Sequence, residues 1–199
     1  MALAKLSGDE QGILFVQLCN VLDPGIAVAL SSVSNELRTA TRVPLQQLKT
    51  GHEAAAALCR KLGYRNCKAL REAKDVWLWG KGRTADELKL LGTLGSVLPA
   101  LETLILWEPA AGPDGVQRLA AGLGAGALPA VTDLRIFYMH VGDAGASALA
   151  AALGQGALPR LMTLDLHESA IGDTGLVALA PALRWRSALK LLDLHRNPI

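Results

Sequence analysis

The spacing Asp-x-His occurs twice near the end of the chain, at Asp165 and His167 and again at Asp193 and His195. Imidazole nitrogens and carboxylate oxygens bind divalent metal ions in proteins, and Glu168 supplies a further carboxylate nearby. Solvated polar residues on a strand are far commoner than metal sites, so the sequence favours a solvated strand surface. We therefore expect no bound metal and no cofactor.

Two other patterns that could indicate chemistry, a glycine-rich stretch and possible nucleophiles, are excluded by their neighbouring residues. The glycine-rich stretch at 122–127 has the composition of a phosphate-binding loop, but it follows a predicted helix and precedes a predicted strand. A phosphate cradle needs the reverse order. No Ser or Cys lies in a nucleophile motif beside a plausible base, and Cys59 and Cys67 are expected to fill helix faces. The sequence therefore predicts a protein that is not an enzyme.

Composition restricts the class of partner. The 199 residues include 20 Lys and Arg against 18 Asp and Glu, without a run of like charge, so neither nucleic acid nor an anionic membrane is indicated as a partner. No apolar stretch reaches the roughly twenty residues that a membrane span requires. Three cysteines without a CxxC pair and a charged first segment argue against secretion, so we expect a reducing compartment, the cytoplasm or the nucleus.

Residues 73–199 contain an internal repeat of 28 to 30 residues, with units that begin near residues 73, 101, 131, 161 and 189. Each unit opens with an apolar L-x-x-L-x-L pattern, as at Leu161, Leu164 and Leu166. The period of two in this pattern predicts a strand with one buried face. Leucines four residues apart then predict a helix, and Asp143 and Asp173 are expected to cap the N-termini of two of these helices.

The repeat resembles the leucine-rich repeats of the ribonuclease-inhibitor type. This resemblance implies an α/β fold, a solenoid with parallel strands on its concave side and helices on its convex side, preceded by an all-helical N-terminal segment. The Asn that usually follows the strand is replaced in three units and returns at Asn197; the replacements are Pro109, Met139 and Ser169. Pro181 lies inside a predicted helix and is expected to kink or shorten it.

Residues 1–44 are predicted to form two or three short helices, since apolar residues at helical spacing flank Leu22, Asp23 and Pro24. With Leu6 and Glu10 at its start, this stretch resembles an F-box. In that family the helices bind the adaptor subunit of a cullin-RING ubiquitin ligase, and downstream repeats collect the substrate. The residues that the resemblance assigns to the adaptor-binding face are Ile13, Leu14, Leu18, Leu22, Pro24, Leu30 and Val33.

A second interpretation of these helices is that they only cap the first strand of the solenoid, because the end of a solenoid needs a polar cap. Residues 45–72 are predicted as a helical linker or N-terminal cap.

Strand residues that alternate with the leucines face away from the core and are predicted to form two parallel rows across the sheet. The first row consists of Trp77, Ile105, Arg135, Asp165 and Asp193. The second row consists of Trp79, Trp107, Phe137, His167 and His195, with Tyr138 beside it. Aromatic residues dominate the energetics of protein interfaces, so the sequence predicts a partner-binding concave face for a partner with an apolar part and a basic part. The alternative is that the rings only stack on one another and on a neighbouring loop.

The last unit closes a strand and a turn at Ile199 but has no helix behind them. We therefore expect that the chain continues or that a second protein covers this end of the solenoid. The cluster Arg184, Trp185 and Arg186 is a further candidate for contact with a partner or a membrane surface.

Two functional hypotheses follow from the sequence. The protein is a recognition module, with an F-box-like head and a substrate-collecting body, or it is a structural subunit of a larger assembly.

Overall fold

The computed structural model describes residues 7–18 and 20–199, apart from the side chains of residues 16–18 and 36. Leu6, Cys19 and the side chain of Leu18, all of which entered the sequence predictions, lie outside the described part. The chain divides into two compact units, which we call the helical unit (Met1–Ala69) and the sheet unit (Leu70–Ile199).

The helical unit contains three short helices followed by a long one, which agrees with the two or three short helices expected. The helices are α1 (Gly8–Leu18), α2 (Gly25–Ser31), α3 (Asn35–Ala40) and α4 (Arg42–Lys61), and α5 (Cys67–Arg71) crosses the boundary of the two units. Ser7 and Glu10 exchange hydrogen bonds at the start of α1, and the Ser34 hydroxyl accepts from the Leu37 N–H at the start of α3. Each bond satisfies an amide that the helix itself leaves unpaired.

The core of the helical unit is formed by Phe15, Ala27 and Leu48, with Leu30 and Leu45 packed against it. Farther along the chain, Cys59 and Cys67 are buried free thiols, as the sequence predicted.

The sheet unit alternates strands and helices. Its strands are β1 (Asp75–Trp79), β2 (Thr103–Trp107), β3 (Asp133–Ile136), β4 (Thr163–Asp165) and β5 (Leu191–Asp193). Its helices are α6 (Ala85–Thr93), α7 (Asp114–Gly122), α8 (Gly142–Gly154) and α9 (Asp173–Arg184), with 3-10 turns at Leu94–Val97 and Pro109–Ala111. All neighbouring strands are parallel and lie in chain order in one five-stranded sheet, so the fold is α/β. The helices contact one another in the same order.

The repeat leucines of β2, β3 and β4 point into the core, as predicted, whereas Leu192 of β5 is exposed. Leu104, Leu134 and Leu164 are hydrogen-bonding neighbours on successive strands, and each is at most 1 % exposed. Since side chains alternate along a strand, the residues between these leucines must lie on the opposite face of the sheet.

Helices α6 and α7 approach each other at two glycines. A Cβ atom on Gly92 would lie 2.3 Å from the carbonyl oxygen of Leu119, and one on Gly122 would lie 2.6 Å from the carbonyl oxygen of Lys89. These contacts are too short for any side chain, so the two backbones pack directly on each other.

The expectation that Asp143 and Asp173 cap their own helices is wrong. Helix α8 has no side-chain cap, and the Oδ1 atom of Asp143 instead accepts from the N–H groups of Gly172 and Gly175, at 2.8 and 2.9 Å. Asp143 therefore satisfies amides at the start of α9, the next helix in the row. Asp173 is exposed in the first turn of α9 and makes no cap.

Pro181 does not shorten its helix, since α9 continues to Arg184. The ring of Pro181 removes one backbone hydrogen bond from the helix, and its side chain is exposed. Among the helices of the described residues, none combines the length and apolarity that spanning a bilayer demands.

Candidate functional site

The candidate site is the face of the sheet opposite the leucine core, which we call the exposed face. The strand register places the first predicted row side by side: Trp77 pairs with Ile105, Ile105 with Arg135, Arg135 with Asp165, and Asp165 with Asp193. The structure thus brings together residues that lie up to four repeats apart in the sequence.

The second row forms a continuous series of ring contacts, in which the tryptophans meet their neighbours tilted or edge-on and Phe137, His167 and His195 are stacked. Centroid distances are 5.1 Å for Trp79 and Trp107, 6.0 Å for Trp79 and Phe137, 5.0 Å for Phe137 and His167, and 5.2 Å for His167 and His195. All lie in the range of favourable aromatic contacts. The stacking that the sequence offered as an alternative to recognition is therefore present, and it fixes the orientation of these rings.

Stacking leaves much of the aromatic surface open to solvent. Trp77 is 63 % exposed and Trp79 is 51 % exposed, and Tyr138 is exposed beside the second row. Trp107 and Phe137 are half-buried between their neighbours. The apolar part of the exposed face is therefore concentrated on β1 and β2, with Tyr138 at its border.

Charged groups on β3 and in the turns after β4 and β5 form ion pairs. The guanidinium of Arg135 donates to both carboxylate oxygens of Asp133, at 2.7 and 3.0 Å, and these hydrogen bonds raise the pKa of Arg135. Arg196 donates to the carboxylate of Glu168, which lowers the pKa of Glu168. Both pairs are close to neutral overall.

Asp165 and Asp193 each accept hydrogen bonds from the histidine two positions later in the chain. The Nδ1 atom of His167 lies 2.6 Å from Oδ1 of Asp165, and Nδ1 of His195 lies 3.0 Å from Oδ1 of Asp193. Hydrogen bonds from the backbone N–H and the ring of His195 lower the pKa of Asp193. Asp165 and Asp193 thus place two carboxyl groups at the β4 and β5 end of the exposed face, away from its apolar part.

The turn that follows β1 is held by a side chain that the sequence did not single out. Glu108 is 1 % exposed, and its two carboxylate oxygens accept from the N–H groups of Lys81 and Gly82, both at 3.0 Å. Glu108 thereby fixes the turn that follows Trp79. A charged residue directly after a strand gives no sign of this role, because its partners lie in the preceding repeat.

The side chain of Asn197, which follows β5, makes hydrogen bonds to two turns, the one after β4 and its own. Its Oδ1 accepts from the N–H groups of Ser169 and Ile171, and its Nδ2 donates to the carbonyl oxygens of Leu166 and Leu194, both at 2.8 Å. At the corresponding position one repeat earlier, the hydroxyl of Ser169 donates to the carbonyl oxygen of Ile136 at 3.1 Å. The turn beside His167 is therefore held by Asn197 of the following repeat, whereas the turn beside His195 contains Asn197 itself.

The residues of the predicted adaptor face separate into surface and core. Ile13 is 59 % exposed and Val33 is 70 % exposed, whereas Leu22 is buried and Leu30 packs on the core of the helical unit. Leu14 and Pro24 are half-buried. Ile13 and Val33 are thus the members of this set whose described side chains offer the most surface to a partner.

The end of the sheet beyond β4 also exposes apolar surface. Leu191, Leu192 and Ile199 are exposed, although Leu192 pairs in register with the fully buried Leu164. In the neighbouring connection Trp185 is 81 % exposed, with the Arg184 guanidinium 5.1 Å above its ring. Arg186 is not a free surface cation, because it donates to the carbonyl oxygens of Leu153, Ala157 and Leu158.

No protein-family model matches the chain, and no curated protein is significantly similar to it in sequence.

Proposed function

We propose that the sheet unit is a leucine-rich-repeat solenoid and that the protein is a non-catalytic recognition module that binds a protein partner on the exposed face. Three observations support this proposal. The repeats are 28 to 30 residues long, each complete repeat supplies one strand and one helix, and the strands pair in parallel in chain order. Stacked repeats of this kind bury their leucines against their neighbours and leave one strand face open.

The observation that carries the function is the exposure of Trp77 and Trp79 beside a series of ring contacts that spans all five strands. Large aromatic side chains lose little conformational entropy on binding when they are already held in place, and they supply most of the energy of many interfaces. A partner that fits this face has an apolar segment over β1 and β2 and a basic segment over Asp165 and Asp193.

The test compares tryptophans on and off the exposed face. We expect Trp77→Ala and Trp79→Ala each to weaken binding of a protein captured by the wild-type chain by about thirtyfold, as is typical of a central interface aromatic. Trp185→Ala is the matched control, since Trp185 is more exposed than either but lies outside the sheet. Affinities are measured by isothermal titration with the captured partner.

The opposite pattern would exclude the exposed face as the binding surface. If Trp185→Ala abolishes binding while Trp77→Ala and Trp79→Ala retain the wild-type affinity, the partner docks on the α9 end of the sheet unit instead.

We further propose that the helical unit is F-box-like and binds the adaptor subunit of a ubiquitin ligase, which would make the partner of the exposed face a ligase substrate. Support comes from the helical composition of the unit and from the exposed apolar side chains of Ile13 and Val33. Ile13 lies on α1 and Val33 lies in the connection between α2 and α3. Exposed aliphatic side chains are a common means of docking one subunit on another.

A second candidate function is that of a structural subunit whose apolar surfaces are permanently buried in an assembly. Exposed Leu191 and Leu192 on the edge strand β5 favour it, because an open strand edge with apolar side chains is a template for association. Co-purification in fixed stoichiometry with subunits that cover β5, and without a ligase adaptor, would support this function over the first.

A further inference from the structure

Positive charge is collected at one edge of the last two repeats. The segments 144–164 and 174–192 contain no Asp or Glu, and they hold four cations that lie where α8 and α9 end or just before β4 and β5 begin. We call these cations the basic edge; they are Arg160, Arg184, Arg186 and Lys190. The acidic residues of 142–199 all lie at the other edge, at the strand ends, in the turn after β4 or in the first turns of α8 and α9.

Three cations of the basic edge have no acidic partner. The side chains of Arg160, Arg184 and Lys190 are exposed, and among the residues that the structure describes none of the three takes part in an ion pair. The Arg184 guanidinium instead lies 5.1 Å above the ring of Trp185. Cations gathered without counter-charges attract an anionic ligand.

The fourth cation is held in place. Nη2 of Arg186 donates to the carbonyl oxygens of Leu153 and Ala157, at 2.7 and 2.6 Å, and Nη1 donates to that of Leu158. Carbonyl oxygens carry no full charge, so these bonds fix the guanidinium without neutralising it. A charge that is already ordered costs little conformational entropy when a ligand binds.

A pocket of about 200 Å³ opens within the basic edge. Its lining includes the fully buried Leu161, the ring of Trp185, Pro159 and Ala188, together with the fixed Arg186. Pockets that hold a whole small-molecule ligand measure about 300–1,000 Å³, so this smaller one suits a single side chain. Trp185 is 81 % exposed, and a ligand that covers its ring would gain apolar contact.

We propose that the basic edge binds an acidic peptide segment of a partner protein, with one aliphatic side chain of the peptide in the pocket against Trp185 and its carboxylates beside Arg160, Arg184 and Lys190. The charge of this segment is opposite to that of the segment proposed for the exposed face, so the two surfaces select different ligands. The pocket favours a peptide over an anionic bilayer, because a flat surface does not fill a concave site.

The probe for the test is the synthetic peptide acetyl-Glu-Glu-Leu-Glu-Glu-amide, titrated into the full chain and followed by NMR at the tryptophan indole N–H groups. We expect the Trp185 resonance to shift and saturate, while those of Trp77, Trp79 and Trp107 stay in place. Replacing the central leucine of the peptide by alanine should weaken binding by about tenfold, because the apolar contact in the pocket is lost. The affinity should also fall as salt is added.

Variants separate the contribution of the pocket from that of the charges. Ala188→Leu should weaken binding by more than about tenfold, because its side chain occupies the pocket, whereas Ala180→Leu adds the same group at an exposed position of α9 and should have no effect. Arg160→Glu and Lys190→Glu should each weaken binding by about fivefold. Lys89→Glu makes the same charge change on α6 and should leave the affinity unchanged.

Three results would overturn the proposal. One is an unshifted Trp185 resonance at saturating concentrations of the peptide, and another is an equal shift with the charge-reversed peptide acetyl-Lys-Lys-Leu-Lys-Lys-amide. The third is wild-type affinity in Ala188→Leu. If the peptide fails but vesicles containing phosphatidylserine sediment the wild type and not Trp185→Ala, the basic edge binds a bilayer instead. The synthetic peptide is a separate ligand, so failure here leaves the test of Trp77 and Trp79 unaffected.

Discussion

At the level of single residues, the best defined chemical environment is that of the two buried thiols. Cys59 is 0 % exposed, and its Sγ atom lies 3.6 Å from Sγ of Cys67. Burial, followed by the hydrogen bond with Cys67, raises the pKa of the Cys59 thiol to about 12. Because only the thiolate is nucleophilic, we expect Cys59 to be unreactive as a nucleophile at neutral pH.

This environment gives a prediction for thiol chemistry. In a Cys19→Ser variant, which retains Cys59 and Cys67, we expect no measurable reaction of Cys59 with a disulfide reagent at pH 8. In denaturant, Cys59 should react with the same reagent at the rate of an ordinary thiol. Quantitative labelling of Cys59 in the folded protein at pH 8 would contradict the burial described for it.

The raised pKa of Cys59 also makes the stability of the folded protein depend on pH. A thiol whose pKa is higher in the folded protein than its ordinary value of 9.0 binds its proton more tightly when folded. It therefore contributes stability that is fully present below about pH 9 and is lost as the pH rises toward 12.

At the level of secondary-structure elements, the close approach of α6 and α7 is the contact least tolerant of change. In Gly92→Ala the added Cβ would meet the backbone of Leu119 at 2.3 Å, and backbone cannot rotate away as a side chain can. We expect a loss of about 1–3 kcal/mol in the free energy of unfolding, although alanine favours a helix over glycine.

Gly124→Ala is the matched control for this prediction, since a Cβ at Gly124 would have no neighbour within 4 Å. Its effect should stay within about 0.5 kcal/mol. Denaturant unfolding followed by tryptophan fluorescence reports on the sheet unit, which holds all four tryptophans. Equal effects of the two variants would show that the helices are farther apart than described.

The buried faces of the strands could be predicted from the sequence, whereas the hydrogen bonds between repeats could not. Leucines at a period of two fix which strand side chains are buried, because a shift by one residue would turn every leucine of the strand to solvent. For this reason Leu104 and Trp77 were assigned to the correct faces. The sequence does not predict the partners of Glu108 and Asp143, since the amides that they bind lie 26 to 32 positions away and only the packing of adjacent repeats brings them together.

At the level of the whole molecule, the two compact units suggest a division of labour that can be tested within one chain. Under the proposed F-box-like role, Ile13→Asp combined with Val33→Asp should abolish binding of the ligase adaptor, because each change places a charge in an apolar contact. Both side chains are exposed, so the helical unit should stay folded. Leu30 is unsuitable for this test because it packs on the core.

The control for adaptor binding is Val177→Asp, which places the same charge at an exposed valine of the sheet unit. It should leave adaptor binding unchanged, and the double variant should still bind the partner of the exposed face. Equal adaptor capture by the wild type and the double variant, measured by pull-down with the purified adaptor, would argue against the F-box-like role.

Side chains from the following repeat hold the turn after β1 and the turn after β4, and this limits how the chain can be cut and rejoined. A segment excised from one strand start to the next would leave behind the Glu108 or Asn197 that completes its turn. It would also separate Asp143 from the helix that it caps. Chimeras that exchange repeats should therefore be joined at points that keep each of these side chains in the same segment as the amides that it binds.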